Sequence, residues 1–155
     1  MSKNELEFHK KTAKKCFNEA WDYLDKKSRT ADDEQQMLHL AHASRYHWGF
    51  VGSALNFAIG DWQLSRVYGA LNEPRLTLHF AKSALEITQK NKLSSNLPSA
   101  YEGMARAYVI AKEERSARDY IKKAREALNK ATDMSAGDKK VYSGQIDETE
   151  ELLKQ

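Results

Sequence analysis

Histidine changes charge near neutral pH and is the commonest protein ligand for transition metals, so HLAHASRYHWGF, residues 39–50, is the first stretch whose spacing could do chemistry. His39, His42 and Tyr46 recur three and four positions apart, on one side of a helix, with His47 adjoining them. Neutral imidazoles so placed can share a metal ion or a polar ligand. Helical metal sites ordinarily add Glu-x-x-His pairs from facing helices, and the chain contains none. The same spacing also serves hydrogen-bonded packing where two helices meet. His39, His42, Tyr46 and His47 are therefore read as a possible ligand pocket, with no metal ligand set and no cofactor assigned. His9 and His79 read as isolated surface or boundary histidines.

Other sequence-readable chemistry is missing. No Gly-rich phosphate loop, H-E-x-x-H, C-x-x-C or G-x-S-x-G occurs, so we expect a non-catalytic protein. The single cysteine, Cys16, falls on an apolar stripe and is expected to pack as a small hydrophobe. Net charge is +3 from 25 basic and 22 acidic residues, interspersed rather than gathered into the basic footprint of a nucleic-acid binder. No run approaches the roughly 20 apolar residues of a membrane span. The first 15 residues lack the apolar core of a secretion signal, so the expectation is a cytoplasmic protein without membrane or nucleic-acid partners.

The elements that must position these residues are all helical. Apolar residues recur at helical spacing almost throughout, and the two prolines, Pro74 and Pro98, stand where helices would begin. The periodicity predicts helices over about 4–26, 31–51, 55–71, 73–91, 98–112, 114–131 and 135–153. Thr30 with Asp33, and Ser135 with Asp138, have capping-box spacing. Leu6 and Val141 are placed on buried stripes. Gly49, Gly52, Gly60 and Gly69 mark expected close approaches or sharp turns. An all-α single domain follows, of hairpins at about 4–51, 55–91 and 98–131 with a last helix at about 135–153.

Two hairpins share a pattern. Leu64, Ser65 and Tyr68, then Thr77, Ala81 and Ala84, match Met104, Ala105 and Tyr108, then Ala117, Ile121 and Ala124, at one constant offset. This pattern resembles the tetratricopeptide repeat, W-x2-L-G-x2-Y followed by A-x3-F and a further small residue, in which small side chains let antiparallel helices approach. The departures are specific: Tyr68 and Tyr108 are 40 apart rather than about 34, Trp62 sits one place late, and the helix-ending prolines are missing. The first two helices would be a third, eroded hairpin, and the last helix the cap of a short α-α superhelix.

The resemblance implies a scaffold that binds a segment of a partner protein in a concave groove lined by the first helix of each hairpin. The groove positions it implies are Trp62, Arg66, Glu102 and Arg106, a surface for an acidic or mixed-charge peptide. Glu102 and Arg106, four apart, could instead simply pair on a helix surface. The groove would be built from the third and fifth helices with help from the second. Self-association is a further expectation. The alternative function is a small-ligand or metal-binding helical protein using the histidine-rich face, with a neighbour such as Glu102.

Overall fold

Short polar side chains and conformationally restricted residues set where each helix begins. Ser2 with Glu5, and Thr30 with Asp33, exchange reciprocal bonds between side chain and backbone, while Pro74 and Pro98 occupy first turns. Ser135 accepts the Asp138 N–H at 3.1 Å, but that box is only half made. The computed structural model describes all 155 residues, as α1 (Lys3–Leu24), α2 (Ala31–Val51), α3 (Ala54–Ala70), α4 (Pro74–Lys90), α5 (Leu97–Ile110), α6 (Glu114–Lys130) and α7 (Ala136–Leu152). There is no strand. No helix is long and apolar enough to cross a membrane.

The turns inside two hairpins are copies of each other. Glu73 N–H donates to the Tyr68 carbonyl at 3.0 Å, and Glu113 N–H to the Tyr108 carbonyl at 2.9 Å, each closing a helix end through a left-handed residue. Those residues are Asn72 at φ 56° and Lys112 at φ 61°. Asparagine tolerates that conformation, whereas lysine is strained there. Lys112→Gly should raise unfolding stability by about 0.5–1 kcal/mol. Urea denaturation checks this, and an unchanged or lower midpoint would contradict it.

Helices pair as α1 with α2, α3 with α4 and α5 with α6, and α7 packs on the α5–α6 pair. Buried positions repeat every 40 residues through all three second helices: Met37, Thr77 and Ala117; Ala41, Ala81 and Ile121; Ser44, Ala84 and Ala124. Ring pairs repeat too, since Tyr68 stacks on Phe80 at 5.5 Å and Tyr108 on Tyr120 at 5.6 Å. The first hairpin keeps this register in α2 but not in α1, because residues 25–30 make a longer connection than residues 71–73 or 111–113.

Small residues let the layers meet. Ser44 donates to the Ala13 carbonyl at 2.8 Å between α1 and α2, both residues fully buried. A Cβ on Gly69 would lie 2.7 Å from Ile110 Cδ1 and one on Gly60 2.8 Å from Arg45 Cδ, so both serve close approach, and Gly52 caps α2 where the chain turns into α3; Gly49 has open space, and the left-handed residues are Asn72, Lys92 and Lys112. Ile146 of α7 closes the apolar end among Ala105, Ile121, Ala124 and Leu128. Two stripe assignments are corrected. Leu6 is 38% exposed and Val141 57% exposed. Leu6 lies two turns before Ala13, opposite the last residues of antiparallel α2, and α7 has no helix packed on its outer side.

Candidate functional site

Glu102 lies where α3, α5 and α7 meet, and both oxygens of its carboxylate accept hydrogen bonds. Trp62 Nε1–H donates to Oε2 at 2.9 Å. Oε1 accepts from Thr149 Oγ1 at 2.7 Å, Arg106 Nε at 3.0 Å and Arg66 Nη2 at 3.4 Å. Burial alone would push the Glu102 carboxyl up, but the two guanidiniums and the Thr149 and Trp62 bonds outweigh it and hold it below the usual carboxylate range. Burial lowers the Arg66 guanidinium from its ordinary value, against the pull of Glu102. Such a carboxylate is a fixed counter-charge and a poor base for proton transfer.

All four groove positions converge, but at different depths. Glu102 is 1% exposed and Trp62 6%. Their indole and carboxylate are buried together, aided by Gly103, where a Cβ would sit 3.0 Å from Trp62 Cδ1. The Arg66 and Arg106 side chains, 10% and 15% exposed, line a cavity. This cavity of about 470 Å³ is walled by Trp21 and Asp25 at the α1 end, by Arg29, by both arginines, and by Glu148 of α7. The Arg66 guanidinium carbon lies 5.3 Å from the Trp21 ring and 5.1 Å from the Trp62 ring. Three buried donors here have no hydrogen-bond partner: Arg29 Nε, Arg66 Nε and Arg106 Nη2.

The second helix does not contribute to that wall, contrary to the expectation from sequence. Its polar side faces another cavity, of about 440 Å³, bounded by His42, Arg45, Tyr46 and Phe50 with Leu64 and Phe80. The reason is local: Arg45 Nε donates to Asp61 Oδ1 at 2.9 Å, Ser83 Oγ donates to Asp61 Oδ2 at 2.6 Å, and His42 Nε2 bonds the Tyr68 hydroxyl at 2.8 Å, so α2 is tied to the α3–α4 hairpin from this side. Of the four expected pocket residues, His42 and Tyr46 line the cavity. His47 instead meets His9, Nδ1 to Nδ1 at 2.8 Å, and His39 is exposed outside it. Burial lowers the His42 imidazole, helped by His39, and lowers His47, helped by His9. Nowhere are three or more His, Cys, Asp or Glu side chains grouped to hold a metal ion, and Glu102 touches no histidine.

Sequence reasoning missed Trp21, Arg29, Glu148 and Thr149 on one side, and His9, Arg45, Asp61 and Ser83 on the other. Asp61 had a local signal, an acid between the apolar stretch Phe57–Gly60 and Trp62. The others meet their partners only through tertiary packing. Cys16, expected to be a small buried hydrophobe, is only partly buried. Compared with known protein families, curated proteins and solved structures, the chain matches none of them.

Proposed function

We propose that the chain is a tetratricopeptide-like, non-catalytic interaction module of the cytoplasm, holding a segment of a partner protein against the face formed by α1, α3, α5 and α7. One observation carries this reading: of the four first-helix positions, Arg66 and Arg106 line a single cavity of about 470 Å³, and Glu102, itself bonded by Trp62, holds both arginines. An aromatic wall and two cations held by a buried carboxylate suit a short polar segment better than a reaction.

Selection of displayed peptides against the purified protein tests the reading. A recurring peptide should emerge and cross-link to this face. Ala70, exposed at the end of α3 and on the cavity wall, is the residue to block: Ala70→Trp should weaken that peptide at least about tenfold, or about 1.4 kcal/mol, with unchanged thermal melting. Binding that survives the block, or cross-links confined to the His42–Phe80 cavity, would overturn it. The latter result would favour the small-ligand alternative, which the second cavity keeps in play.

A further inference from the structure

Buried guanidinium N–H groups are costly unless something accepts from them. Three such donors belong to Arg29, Arg66 and Arg106, residues that line the cavity between α1, α3, α5 and α7. Arg29 spends Nη1 on the Tyr23, Leu24 and Lys26 carbonyls, which fixes its plane and leaves Nε free. Glu102 leaves the others unpaired, since its bonds go to Trp62, Thr149, Arg106 Nε and Arg66 Nη2. Asp25 shares the wall but makes no ion pair or side-chain bond to any of them.

The remaining carboxylate is Glu148. Its Oε2 lies 3.8 Å from Arg66 Nη2 and 3.7 Å from Arg106 Nη2, beyond hydrogen-bond length to both, and its side chain is 66% exposed. It hovers between two cations without bonding either, as an anion would that another anion could replace. We propose that this cavity is an oxyanion site, taking a phosphate or carboxylate group, for which Glu148 is a built-in competitor. The proposal rests on reading this face as the binding face, and names the group the face recognises. A planar guanidinium pair gives such an anion parallel donors, and the Trp21 ring closes the apolar side.

The test uses the whole chain, titrated separately with inorganic phosphate and with acetate at constant ionic strength set by chloride. Calorimetry and the fluorescence of Trp21 and Trp62, both beside Arg66, report binding. Saturable binding of one anion is expected. Glu148→Gln, on an exposed residue and so safe for folding, should tighten it up to about fivefold, and Arg106→Lys should weaken it about tenfold. Tighter phosphate points to a phosphorylated source and tighter acetate to a carboxylate; either meets the proposal. It is overturned if neither anion saturates wild type or Glu148→Gln, or if Glu148→Gln binds no tighter than wild type. No peptide is needed, so failure here with peptide selection intact removes the oxyanion and spares the interaction reading.

Discussion

Replacing Glu102 by Gln should destabilise the protein by about 3–5 kcal/mol, the range for removing one partner of a buried ion pair. The volume is conserved and amide bonds to Trp62 and Thr149 remain possible, so the loss isolates the charge. Arg66 and Arg106 would be left without it in a site where their side chains are only 10% and 15% exposed. Denaturant midpoints measure the effect, and a loss below about 1 kcal/mol would mean that solvent already screens these arginines. The pH dependence gives a second reading. The folded Glu102 carboxyl is held below its ordinary range, so the folded state binds fewer protons. Its stability is present at neutral pH and is lost as pH falls through the carboxylate range; Glu102→Gln should flatten that decline.

Trp62→Ala should cost about 3–5 kcal/mol, as truncating a buried aromatic does. The indole fills space against Gly103 and Trp21, and its N–H satisfies Glu102 Oε2. Trp62→Phe separates these contributions. It keeps most of the ring but strands one carboxylate oxygen, for a loss of about 1–3 kcal/mol. If Phe and Ala prove equally damaging, the hydrogen bond dominates; if Ala is tolerated within about 1 kcal/mol, the packing argument fails. Trp62 thus acts through the arginines it supports, and its loss would report on folding before it reported on any partner.

The helices were legible because their determinants are local. Thr30 and Asp33, or Pro74 in its first turn, need only three or four neighbouring residues to act. The repeat was legible from Leu64 to Ala84 and from Met104 to Ala124 because one offset of 40 covers both helices of each hairpin. The first hairpin hid from the same comparison. Met37, Ala41 and Ser44 keep the offset, but Ala20 and Tyr23 precede Ser65 and Tyr68 by 45, since the connection to α2 is longer. For the site, Glu102 and Arg106 were visible as a helical pair, and Trp62 and Arg66 as their counterparts one repeat earlier. Thr149 was not, because α7 is a single helix with no partner to fix its register. His9 and His47, 38 positions apart on antiparallel helices, carry no sequence signal of their meeting.

Trp62 and Glu102 stand at the same place in successive repeats, 40 apart, as do Arg66 and Arg106. Two arginines therefore surround one acid because the Arg place is filled alike in both repeats while the other holds Trp in one and Glu in the next. If the hairpins were assembled in the opposite order, Glu102 would keep Arg106, four positions along its own helix, but lose the indole, Arg66 and the α7 hydroxyl together. A buried carboxylate with one partner out of four is a severe penalty. Apolar stripes that repeat so faithfully would otherwise let any hairpin dock on any other, within one molecule or between two. The charge beneath the cavity thus gives the stack a direction, admitting one sequence of hairpins and rejecting its permutations.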